Sequence, residues 1–291
     1  MMRTLLTACL LLAVGACQTA APIGTSPYAR SEDVPLKAAL ETNGVVETTR
    51  DIVAYFPAGA LSDEARAAIV ARLDRGVRAA KRFTQRPSWR FHGDRRVYFY
   101  FPDERFVSHA PGGNSLYIPL WRIRDDQAPW LHEVIHILLW PSGRNWLDET
   151  DEYGDEHMPL WLYEGIADVI AAEVSAQEGL TYFAPMMTEP PSELDAVCRR
   201  HLETPVAARV LSFVGAHGRL VELYGEERQT YAPAFYTCSA SFTTYLRQRY
   251  GYAPLLAAIG TYGREMDVLE ERIGTHVVSA REDWLARVRS R

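Results

Sequence analysis

Apolar and polar residues alternate with two different periods along this chain. Positions 62–82 open with Ser62, Asp63 and Glu64, then place Ile69, Val70, Leu73 and Val77 at spacings of three and four. A capping serine, early acids and a 3.6-residue stripe predict an amphipathic helix. Positions 45–56, 97–101 and 115–121 are rich in β-branched and aromatic residues and are predicted strands, the last an edge strand. Two further segments, 128–140 and 158–172, are apolar almost all round, which predicts buried helices. From 160 onward the pattern is nearly all helical, ending at 281–289 around Trp284. The expected fold is α+β. A small mixed sheet with an edge strand fills a mixed lobe at about 41–158, and a mainly helical C-terminal lobe follows at about 159–291.

The polar residues inside the two apolar helices are few and chemically specific. The first helix carries His132-Glu133-Val134-Ile135-His136, the HExxH pattern. Residues four apart share a helix face, so the two imidazoles can hold one metal ion. Glu133 lies beside the first of them, where a carboxylate can take a proton from water at that metal. Unpaired imidazole and carboxylate groups in an apolar helix are expensive to desolvate, and a metal offsets that cost. Zinc suits the ligand set. An HExxHxxGxxH site needs glycine at 139 and histidine at 142, where this chain has Leu139 and Ser142. The third ligand is therefore expected from the second helix, whose acids Glu164 and Asp168 stand four apart. Glu164 is the expected ligand. Asp168, one turn on, is expected to accept the free N–H of a ligating histidine, His132 above all, and fix its tautomer. Gly165 removes a side chain where helices come close. Glu149 and His157 rank lower, because neither sits in a rigid apolar helix.

HEVIH together with the later WLYEGIAD resembles the gluzincin metallopeptidases, and within them the small bacterial peptidase MA-like domains. Pro159, Trp161, Glu164, Gly165 and Ala167 match the second zinc helix of that group. A later helix is matched by Tyr236, Ser239, Ser241, Phe242, Tyr245, Leu246, Tyr250 and Gly251. The resemblance implies a zincin-like fold with one catalytic Zn2+. It implies hydrolysis of a peptide bond by zinc-activated water, with Glu133 as general base. It also points to Tyr236 as oxyanion donor, with Tyr231 as runner-up, and to an edge strand that pairs with an extended substrate, placing Asn114, Ser115, Leu116 and Tyr117 at the cleft. A reading from a different class is a non-catalytic lipoprotein of the same fold, acting as a binding or envelope scaffold module.

The amino terminus bears on location. Met1-Met2-Arg3, a short apolar stretch and Val14-Gly15-Ala16-Cys17 look like a bacterial lipoprotein signal, cut after 16, with Cys17 lipidated. Gln18, not aspartate, follows Cys17, which favours the outer membrane, facing the periplasm. Residues 17–40 are then lipidated cysteine and tether, and 41–291 the folded domain. In an oxidising compartment Cys198 and Cys238 are candidates for one disulfide. A formal net charge of −6 argues against nucleic acid as a partner and leaves a peptide or protein substrate. Asp148, Glu149, Asp151, Glu152, Asp155 and Glu156 crowd the loop between the two metal helices, where a solvated acidic loop, a basic substrate or calcium each fit.

Overall fold

The structure is a computed structural model and describes residues 33–84, 96–106, 108–110, 114–139, 159–183, 193–216, 228–261 and 263–290. The lipoprotein-like signal, Cys17 and the acidic loop with Glu149 and His157 lie outside these residues. No helix among the described residues is long and apolar enough to cross a membrane.

The architecture is mixed α+β, with a four-stranded sheet and a helical C-terminal half. The order in the sheet is β1 (Val45–Thr48), β2 (Ile52–Phe56), β3 (Val97–Tyr100), β4 (Ser115–Tyr117). β1 is antiparallel to β2, while β2, β3 and β4 run parallel. The single strand expected at 45–56 is thus a hairpin. Thr49 turns the chain by accepting the main-chain N–H groups of Asp51 and Ile52 on its hydroxyl, each at 3.2 Å. The strand expected at 115–121 is also shorter, because Pro119 removes a ladder donor and starts helix α3 (Leu120–Arg124).

Helix α1 (Asp33–Asn43) precedes the sheet and occupies part of the segment expected as tether. It covers one sheet face, where Leu40 packs with Tyr100 and Tyr117. Tyr55, Tyr100, Tyr117 and His109 stack in a row across that face, with centroid spacings of 4.9, 5.1 and 5.5 Å. The opposite face carries Ile52, Ala54, Phe56, Phe99 and Leu116 into the main core. There it meets α2 (Asp63–Thr84) and α4 (Trp130–Leu139). The Ser62 hydroxyl caps α2 by accepting the Ala65 N–H at 3.3 Å.

The helical half begins with α5 (Leu160–Glu178), followed by α6 (Leu194–Leu202), α7 (Ala207–Leu211), α8 (Arg228–Tyr250), α9 (Tyr252–Ala258), α10 (Glu265–Ile273) and α11 (Val277–Ser290). Trp161 of α5 packs on Phe242 of α8, which in turn packs on Trp284 of α11. Gly165 is where α5 and α8 come closest. A Cβ there would stand 2.2 Å from the Thr243 hydroxyl and 2.6 Å from the Ser239 carbonyl oxygen. Cys198 of α6 and Cys238 of α8 form a disulfide, as the sequence led us to expect.

Candidate metal centre

Helix α4 is buried along most of its length because its stripe is flanked by apolar residues on the remaining faces. His132 points inward, while Glu133 and His136 are half-buried at the edge of the packing. Helix α5 is buried over its first three turns and packs against α4. Its acids Glu164 and Asp168 therefore stand in an apolar interface, 5% and 1% exposed.

Three donor atoms converge where these helices meet. His132 Nε2 lies 2.9 Å from His136 Nε2 and 3.2 Å from Glu164 Oε2, and His136 Nε2 lies 3.3 Å from the same oxygen. On the far side of its ring, His132 Nδ1 is 2.7 Å from Asp168 Oδ1. Imidazole is the stronger base, so Nδ1 carries the proton and donates it to Asp168. When the ring is neutral, its Nε2 lone pair faces His136 and Glu164, in the tautomer a ligand requires. The Tyr182 hydroxyl leans on the same Asp168 carboxylate. Burial first, and that negative charge second, hold the Tyr182 phenol well above its ordinary range.

The electrostatics follow from crowding. Burial works against a His132 imidazolium, but Asp168 and Glu164 outweigh it and hold the group well above the usual histidine value. Burial likewise disfavours the Glu164 carboxylate, yet His136 and His132 pull it below the usual carboxylate range. Asp168 is raised by burial against the pull of His132. Glu133 is also raised by burial, which His132 and His136 only partly offset, and His109 acts on it in the same sense as those two. The side chain of His136 is 21% exposed against 2% for His132 and 6% for Glu164, so the cluster meets solvent on the His136 side.

His132, His136, Glu164 and Asp168 are thus brought together as the sequence reading placed them. Tyr236 is buried on α8, edge-on to Phe235, one turn before Ala240. Ala240 borders a cavity of about 340 Å3 with Asp168, Tyr182, Thr244 and Arg247. Tyr231 lies on the same helix, half-buried.

The expected substrate-pairing segment is narrower than the sequence implied. β4 is a sheet edge, but the outward main-chain groups of Tyr117 already bond those of His109, at 3.1 and 3.0 Å. Leu116 is fully buried, and its main chain faces β3. The Asn114 carbonyl accepts from Tyr98, and its amide donates to the Arg96 carbonyl. Of the four residues, Ser115 alone has main-chain groups directed outward by the strand alternation and not already bonded to His109.

Tyr182, His109 and Arg122 belong to this neighbourhood and carried no motif. His109 holds the Asp33 carboxylate with Nε2 at 2.9 Å, so its place depends on α1. Compared with protein families, with curated proteins and with solved structures, the chain matches none.

Proposed function

We propose that this protein is a zinc-dependent peptidase of zincin-like fold, anchored to the bacterial envelope through a lipidated Cys17, probed by substrate on its periplasmic side. The observation that carries this reading is the convergence of His132 Nε2, His136 Nε2 and Glu164 Oε2 at 2.9–3.3 Å from one another. Donors about 2.0–2.2 Å from a tetrahedral zinc ion stand about 3.3–3.6 Å apart, close to this spacing. In the neutral rings, two lone pairs and a carboxylate turned toward one point favour a positive charge between them. The donor set fits zinc, with a carboxylate, Asp168, behind one imidazole.

Bound there, zinc supplies Lewis acidity for the scissile carbonyl and for the water that attacks it. The remaining work falls to the chain. Glu133, raised by burial, takes a proton from the attacking water and returns it to the leaving amine. The Asp168 carboxylate holds the His132 ring and its tautomer, with Tyr182 behind it. The apolar wall of α4 and α5 excludes bulk water from the inner side. Tyr236 is assigned as the oxyanion donor on the resemblance of its helix, and Ser115 as the main-chain contact to an extended peptide.

The test is metal analysis of the purified protein, together with digestion of a mixed peptide library by wild type and by Glu133→Gln. The expected result is one zinc ion per chain in both proteins, and cleavage by the wild type that falls by about 100- to 10,000-fold in the variant. Zinc with no cleavage by either protein would leave a scaffold role, and absence of zinc would remove the hydrolase reading.

A further inference from the structure

Arg122 on α3 is half-buried and fastened to the chain that leads into α4. Its Nε–H donates to the Gln127 carbonyl at 3.1 Å, and Gln127 returns its own main-chain N–H to the Arg122 carbonyl at 2.8 Å. Its Nη1 donates to the Ser108 hydroxyl at 3.2 Å. The guanidinium lies 5.4 Å from the centre of the Phe183 ring and 5.9 Å from that of Trp121. These contacts hold the head group rigidly beside the first turn of the helix that carries Glu133.

Among the described residues Arg122 has no counter-ion. Arg66, Arg72, Arg247 and Arg287 are comparably shielded, and each forms an ion pair with a carboxylate of the described residues. Arg122 forms none among them. Burial weakens the hold of this guanidinium on its proton, and Glu133 acts on it in the opposite sense without pairing with it. A guanidinium carries five N–H donors, of which the contacts above use two. Its Nη2 group is left over, on the fork that takes a carboxylate side-on. The indole N–H of the neighbouring Trp121 is buried and has no acceptor among the described residues. A half-desolvated cation next to an orphaned donor is costly in the free protein, and an anion brought by a ligand removes that cost.

We infer that Arg122 is a specificity-determining residue that anchors a carboxylate of the peptide substrate near the bond presented to Glu133. The inference rests on the peptidase reading. The chemistry it names is a peptide carboxylate, supplied either by a free C-terminus or by an Asp or Glu side chain. A peptide threaded past Ser115 toward Glu133 meets Arg122 as the available positive charge that no carboxylate of the described residues neutralises.

The experiment uses the zinc-loaded full-length chain and four degenerate hexapeptide libraries. One has free C-termini, a second is amidated, and the other two repeat these with Asp and Glu replaced by Asn and Gln. The wild type is expected to favour one carboxylate source by about 10- to 100-fold in kcat/KM, the range set by a charge-assisted hydrogen-bonded pair. Loss of cleavage on amidation identifies the terminus; loss on the Asn/Gln exchange identifies the side chain. Arg122→Met should bring that ratio to about one, and Arg122→Lys should keep part of it. The ratio is measured within one preparation, so a variant that folds poorly still reports it. Equal rates on all four libraries, or a preference that survives Arg122→Met, overturn the inference. If the wild type cleaves nothing, the peptidase reading fails separately, and retention of the same libraries on immobilised protein decides. Retention that follows the carboxylate and disappears in Arg122→Met supports the anchor, whereas equal or absent retention overturns it.

Discussion

Replacing Asp168 by asparagine exchanges one oxygen for an NH2 group and tests how the proposed metal centre is held. The Asp168 side chain is 1% exposed and its Oδ1 receives the His132 Nδ1–H at 2.7 Å. Asparagine keeps the shape and an acceptor oxygen but removes the charge, so the bond drops from charge-assisted to neutral. Its amide can also turn its NH2 toward Nδ1, which favours the tautomer with Nε2 protonated and withdraws the lone pair from the site. Partners that orient a ligand in this way contribute about 10- to 100-fold in metal affinity, or about 1.4–2.7 kcal/mol. Zinc affinity is read by competition with a chromophoric chelator, with circular dichroism to check the fold. Asp168→Asn is expected to bind zinc about 10- to 100-fold more weakly with its helix content retained. Tyr182→Phe removes only the hydroxyl behind the carboxylate and should weaken binding by about fivefold or less. Affinity unchanged within threefold in Asp168→Asn would refute the claim that this carboxylate sets the His132 ring, because among the described residues no other hydrogen bond reaches Nδ1.

Metal binding should also depend on pH with a definite sign. Without metal, Asp168 and Glu164 hold His132 well above its usual value against the effect of burial, so its doubly protonated form persists to higher pH than in a free histidine. Zinc requires the neutral ring, and binding releases that proton. Apparent affinity should therefore rise about tenfold per pH unit while the group is protonated and level off above its metal-free pKa, as chelator competition across pH will show. The Cys198–Cys238 bond closes a loop of sequence separation 40, and loop entropy assigns it about 4 kcal/mol. Reducing it, or changing both residues to serine, should lower the unfolding free energy from denaturant titration by that order, and no change would place the stability of the α6–α8 contact elsewhere. Gly165→Ala puts a methyl group 2.6 Å from a main-chain oxygen of α8, so the helices must part. Calorimetry should show a loss of about 1–3 kcal/mol, with weaker zinc binding because Glu164 is the adjacent residue.

The parts of this molecule that could be read from sequence are those where a local pattern and a burial requirement coincide. Helices α4 and α5 are apolar nearly all round, so the imidazoles and acids buried at their contact need partners, and His132, His136, Glu164 and Asp168 turn out to partner one another. Helix α1 shows the opposite case. Leu40 is its one buried apolar residue and Val34 is 62% exposed, so no stripe announces it. It is fixed instead by polar contacts distant in sequence, Asp33 to His109 and Glu41 to Tyr100, which no window of neighbouring residues can contain. The hairpin at 45–56 escaped for a related reason. Its turn uses a threonine hydroxyl instead of glycine or proline, and Thr, Arg and Asp between valines and isoleucine pass for a strand. Tyr182 and Arg122 were illegible because their significance lies in what faces them. Tyr182 follows the end of α5 and matters through Asp168, fourteen residues earlier on that helix, and Arg122 through having no carboxylate partner among the described residues. Helix patterns therefore carry the proposed metal ligands and Asp168 behind them, whereas Tyr182 and Arg122 emerge only when the chain is folded. A search for further site residues in such a chain is better directed at unpaired buried charge than at motif.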